Sequence, residues 1–182
     1  YERFFEVVDT DGFIDWVLLE GYCANVDIKS NLRYFRTGDG PWQIAFYDLD
    51  WAFQTRSNCF FNLIGPEQTA QIAPTIRWLF GIDDFRERLL TRYAELTETT
   101  LSDEHVTEKI DEFRALLAPE IARERAHWGG SEEGWNEQVD ALRANIADAR
   151  QSPSASVYTA VFCATGEGSI VTSSFAVPVR LA

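Results

Sequence analysis

Apolar residues crowd the stretch from Phe13 to Cys23, with Phe13, Trp16, Val17, Leu18 and Tyr22 spaced for a mostly buried helix. Asp9-Thr10-Asp11-Gly12 precedes it. Read as a calcium loop, this run lacks the closing glutamate that an EF-hand needs, so an aspartate N-cap is the expectation. Asn25 to Asn31 then reads as a loop, Leu32 to Arg36 as a short strand, and Gly38-Asp39-Gly40-Pro41 as a tight turn. Trp42 to Asp48 returns as the second strand of a hairpin, its Trp42 to Tyr47 run apolar and aromatic enough to be buried. Asn58 to Gln71 is irregular, with Gly65-Pro66 as its turn.

The period changes after Pro74. Pro74 to Phe80 forms a short apolar helix closed by Gly81, and Asp83 to Thr97 keeps helical spacing through Phe85, Leu89, Leu90, Tyr93 and Leu96. Ser102-Asp103-Glu104 starts a helix running to Ala118, and Pro119 suits the first turn of a separate successor ending at Trp128. Gly129-Gly130 is a stop, and Ser131 caps a last helix from Glu132 to about Arg150, with Trp135, Val139, Leu142 and Ile146 as its apolar stripe. Gln151 to Ser156 resembles a linker, and Val157 to Leu181 turns to β character, weakened by Pro178. The expected class is therefore α+β: a mainly helical unit over 1–150 with a short hairpin, then a linker and β-rich tail over 151–182 that closes the domain or begins another.

With 182 residues and 46% hydrophobic content, the chain is large enough for one well-buried domain. It has no methionine and starts mid-pattern at Tyr1, as a piece of a longer polypeptide would, so missing targeting signals say nothing about localisation. No apolar run reaches the ~20 residues of a membrane span. The net charge of −13 argues against a nucleic-acid partner, because phosphate backbones demand basic surface. It favours cationic partners or metal ions instead. Cys23, Cys59 and Cys163 have no zinc spacing and no evident disulfide framework. His105 and His127 fall in helical, charge-rich surroundings, away from any local nucleophile.

The chemistry concentrates in two segments, Asp27-Ile28-Lys29-Ser30-Asn31 and Asp48-Leu49-Asp50-Trp51-Ala52-Phe53. On a continuous strand, Asp48 and Asp50 would emerge on one face. Paired carboxylates repel unless a cation sits between them, and a hard divalent ion shared with substrate phosphates meets that need. Lys29 stands out because the chain has only two lysines against fourteen arginines. Asp and Asn are also ordinary turn formers, so each residue taken singly fits a loop. The combination points to phosphoryl transfer. Protein kinases use a catalytic-loop Asp for the acceptor hydroxyl, an Asn for one magnesium, and a further Asp beyond the next hairpin for the other. The kinase spelling Asp-Leu-Lys-x-x-Asn is one residue longer than the run here.

The wider sequence resembles the CotH-type kinases, atypical protein-kinase-like proteins first associated with spore coats. The resemblance rests on Asp27 to Asn31 with Arg33-Tyr34-Phe35, and on Trp42-Gln43-Ile44 leading into Tyr47-Asp48-Leu49-Asp50-Trp51-Ala52-Phe53. It extends through Phe85-Arg86, Arg92-Tyr93, His127-Trp128-Gly129-Gly130 and Trp135, covering roughly Val8 to Arg150. It implies a kinase-like, mainly helical large lobe, ATP with magnesium or manganese as cofactors, and transfer to Ser or Thr of a protein substrate at a spore coat or cell surface. Asp27 is then the catalytic residue, Lys29 and Asn31 face the nucleotide, and Asn31, Asp48 and Asp50 face metal. Asp50 has the aromatic-small-Phe sequence after it, whereas Asp48 has the more usual spacing from Asn31. The small lobe, with its phosphate-binding lysine, would precede Tyr1, so the fragment alone is expected to be inactive. Two other readings stand beside this one: a non-catalytic surface or coat-assembly module retaining the fold, and a metal-dependent phosphohydrolase.

Overall fold

The computed structural model describes residues 1–25, 27–53 and 71–151, the last four without their side chains. A short helix α1 (Glu2–Phe5) precedes α2 (Thr10–Tyr22). A two-stranded antiparallel sheet follows, β1 (Tyr34–Phe35) against β2 (Gln43–Ile44), with Tyr34 opposite Ile44 and Phe35 opposite Gln43. Among the described residues four helices follow: α3 (Ala73–Phe80), α4 (Asp83–Glu98), α5 (Asp103–Trp128) and α6 (Glu132–Gln151). The α+β expectation holds at that level, with helix predominant. The β character read for Val157 to Leu181 lies outside the described residues, as does all of Asn58 to Gln71 except Gln71.

α2 is the central pillar. Phe13, Ile14, Trp16, Val17 and Leu18 are each at most 2% exposed, which is why its apolar residues run almost unbroken. Asp9 is its N-cap, as the sequence reading expects, accepting from the Gly12 N–H at 3.2 Å. Only glycine fits there comfortably: a Cβ on Gly12 would stand 2.9 Å from Asp9 Oδ2. The same aspartate takes a 2.9 Å hydrogen bond from Gln43 Nε2, and Val8 bridges Trp42 in parallel, so the hairpin is tied to the start of α2.

α3 and α4 pack Ile76, Leu79, Phe80, Phe85 and Leu89 against α2, all fully buried. Arg92 Nε and Nη2 reach both Asp15 carboxylate oxygens at 2.7 and 2.9 Å, fixing α4 to α2 by a two-pronged ion pair. α5 and α6 form an antiparallel pair joined through Gly129 and Gly130, whose φ of 91° and 99° suits glycine alone. Ser102 and Ser131 cap them, accepting from His105 N at 3.3 Å and Gly134 N at 3.0 Å. Arg143 with Asp111, and Arg114 with Asn136, clamp the pair.

Three expectations change. Asp103 to Trp128 is one helix with Pro119 inside it, not two. Ala118 is itself helical, so Pro119 sits inside the helix and not in a first turn. The helix continues through the lost N–H because it packs along α6. Second, the strand read for Trp42 to Asp48 shrinks to Gln43–Ile44, and Phe46 and Tyr47 are exposed. Among the described residues the sheet has two strands, so these rings have no second layer to pack against; Arg33 lies 4.5 Å from the Tyr47 ring and Arg36 lies 5.3 Å from Trp42, while the rings stay exposed. Third, α1 was not foreseen. Phe4 and Phe5 are its reason, packing edge-on against Phe13 and, for Phe5, stacked on Phe85.

Candidate functional site

The loop after α2 is built from its buried residues. α2 ends in a turn, Cys23 and Ala24, with Ala24 in the left-handed region at φ 50°. Ile28 plugs into the core at 1% exposure, holding the middle of the loop down while Lys29 and Ser30 stay exposed. Asn31 is also buried, at 8%, and its Nδ2 donates to Asp27 Oδ2 at 3.3 Å. Asp27 and Asn31 are therefore in contact. Lys29 has no such engagement among the described residues, and the other lysine, Lys109, is held by Glu112 on its own helix.

The second segment reaches the same region by a different route. The Asp48 backbone is left-handed, φ 59°, and Ala52 N donates to Leu49 O at 3.0 Å, so the chain turns where a strand was expected. Strand alternation thus does not place Asp48 and Asp50 on one face, although both are exposed. The turn ends on Phe53, also left-handed at φ 58°, whose N–H donates to Cys23 O at 2.7 Å. Asn145 Nδ2 of α6 donates to Phe53 O at 2.8 Å, and Tyr22 meets the Phe53 ring edge-on. One backbone hydrogen bond thereby joins the acidic turn to the end of the helix that leads into Asp27.

Sequence reasoning missed two residues here. Glu20, on α2, is 1% exposed and accepts from Asn25 Nδ2 at 2.9 Å; Asn25, equally buried, accepts in turn from the Asp27 N–H at 3.1 Å through Oδ1. An acid in an apolar helical run was the available signal, because glutamate is almost never fully buried without a partner. Burial lifts the Glu20 carboxyl above its ordinary value of 4.5, while the Asn25 amide and the Trp16 indole pull the other way.

A raised folded-state value means that the folded protein binds the proton more readily than the unfolded chain. The contribution of Glu20 to stability is then full below about 4.5 and is lost as pH rises through the higher folded value. Glu20→Gln is expected to remove that slope while keeping an acceptor for Asn25. Urea unfolding of both proteins at a series of pH values from 4 upward checks it, the wild type losing stability relative to the variant as pH increases.

Among the described residues, no group of three or more His, Cys, Asp or Glu side chains is placed to hold a metal ion. No described helix is long and apolar enough to cross a membrane. No curated protein and no solved structure matches the chain. The profile of the CotH kinase protein family does, over residues 1–152. That span holds both motif segments and every described element, and the chain belongs to the CotH kinase protein family.

Proposed function

We propose that the chain is the large-lobe part of an atypical protein kinase that transfers the γ-phosphoryl group of ATP to Ser or Thr of a protein. The observation that carries this reading is the Asp27–Asn31 contact in a loop pinned by Ile28, together with an acidic turn whose end, Phe53, is bonded to Cys23 at the end of the same helix. Asp27 is only partly buried, so a hydroxyl can approach it. It accepts the hydroxyl proton and orients the oxygen for in-line attack. Asn31 spends its Nδ2 on Asp27, which reserves Oδ1, a hard neutral oxygen of the kind magnesium takes. Asp48 and Asp50 offer exposed carboxylates on the anchored turn, and Lys29 an exposed ammonium toward phosphate.

These donors fit magnesium- or manganese-ATP. Such ions bind through one or two carboxylates plus substrate phosphates and water, so a protein-only cage is not required. Bound metal-ATP supplies the transferable phosphoryl group and neutralises its charge. The expected outcome in the complete protein is weak metal binding that tightens when ATP is present, read by calorimetry. Strong metal binding that ATP leaves unchanged would instead indicate a structural calcium site.

A second reading has one observation in its favour. Tyr34, Phe35, Trp42, Phe46, Tyr47 and Trp51 are all exposed on or beside the hairpin, a surface that suits an assembly module retaining the fold. That reading requires no nucleotide-dependent labelling of any partner. A phosphohydrolase would release free phosphate without an acceptor protein.

A further inference from the structure

We propose that Glu20 and Asn25 are positioning residues for Asp27, a role that rests on the reading of Asp27 given above. The connection is a short relay. The Glu20 carboxylate is carried on the most buried helix of the fold; Asn25 Nδ2 donates to it at 2.9 Å, and Asn25 Oδ1 accepts from Asp27 N at 3.1 Å. The Asn25 backbone N–H also donates to Glu20 O at 3.3 Å. From the other side, Asn31 Nδ2 holds the Asp27 side chain at 3.3 Å. Asp27 is thus gripped by its main chain and its carboxylate at once, each time by a buried carboxamide.

The chemistry fixes the direction of this relay. A carboxylate accepts and does not donate, and a backbone N–H donates and does not accept. Asn25 satisfies both only with its nitrogen toward Glu20 and its oxygen toward Asp27. The flipped amide would set oxygen against oxygen and N–H against N–H. The Asp27 N–H and the acceptor on residue 20 together select one orientation of Asn25, and that orientation places the Asp27 backbone. An apolar residue would fill this position on α2 without the desolvation cost of a buried acid. The acid gives Asn25 the acceptor that leads to Asp27, and it also lies against the Trp16 indole.

The test is steady-state transfer by the complete protein in a double-mutant cycle. Asn25→Ala is expected to lower kcat about 10²-fold, the scale of loss when a reacting group is misplaced by about 1 Å, with the KM for ATP within about twofold. In an Asp27→Asn background the same change is expected to cost less than about threefold, because Asn25 acts through Asp27. Glu20→Gln keeps an acceptor and is expected to stay within about threefold of wild type, whereas Glu20→Ala should match Asn25→Ala. If Glu20→Ala fails to fold, the Asn25–Asp27 cycle and Glu20→Gln decide the matter.

Losses that multiply in the double variant would overturn the inference in favour of a general structural role. So would a Glu20→Gln loss as large as that of Asn25→Ala. An Asp27→Asn protein that is slow, next to an Asn25→Ala protein at the wild-type rate, sinks the positioning role alone. Wild-type rates in Asp27→Asn itself sink the catalytic reading on which it rests.

Discussion

Asp27→Asn is expected to slow phosphoryl transfer by the complete protein about 10²–10⁴-fold, the usual worth of a positioned base, while nucleotide affinity stays within about threefold. The substitution is close to isosteric, and an asparagine Oδ1 still accepts from Asn31 Nδ2 as the Asp27 carboxylate does at 3.3 Å. The backbone bond from Asp27 N to Asn25 is untouched, so the loop keeps its shape. What disappears is the group able to take the hydroxyl proton. The loss should therefore fall on kcat and leave KM for ATP nearly unchanged, a pattern that separates a missing base from a collapsed site. Initial-rate kinetics and equilibrium nucleotide binding on the same preparation supply both numbers.

Phe85→Ala is expected to destabilise the fold by about 3–5 kcal/mol, the range for truncating a buried phenylalanine. Phe85 is fully buried at the start of α4. Its ring stacks on Phe5 at 6.1 Å and meets Phe13 at 6.3 Å and Phe80 at 6.1 Å, so the change removes the shared contact of α1, α2 and α3. Neighbouring rings are too large to collapse into the cavity, which keeps the cost at the upper end. For a domain of this size each kcal/mol lowers Tm by about 2–4 °C, giving a fall of about 6–20 °C in a thermal melt. A Tm within about 2 °C of wild type would show that this aromatic cluster does not hold the helices together.

How much of this was legible in the sequence depended on the range of the interactions. Asp9, Ser102 and Ser131 could be read as caps because each acts on an N–H only a few residues away. Trp135, Val139, Leu142 and Ile146 could be read as a stripe because helical period alone aligns them. Pro119 misled because a local preference for helix starts was overridden by the continuity of α5 and its packing on α6. The Trp42 to Tyr47 run misled because aromatic composition signals burial, and here the rings stay exposed, two of them with an arginine beside the ring.

The site divided in the same way. Asp27 and Asn31 are four residues apart, and their contact follows from a turn closed locally by Asn31 N donating to Ile28 O. The bond from Phe53 to Cys23, and the one from Asn145 to Phe53, join residues distant in sequence, with no pattern along the chain to announce them. Glu20 was visible as an oddity in an apolar helix, but its connection to Asp27 passes through an asparagine whose role only the folded geometry reveals.

The most direct measurement gives the complete protein γ-labelled ATP, magnesium or manganese, and a serine-rich protein acceptor, and identifies the labelled product for wild type and Asp27→Asn. The account predicts label on acceptor Ser or Thr with the wild type, dependent on the metal, and little or none with the variant. Equal labelling by the two proteins, or free phosphate as the only labelled product, would contradict it.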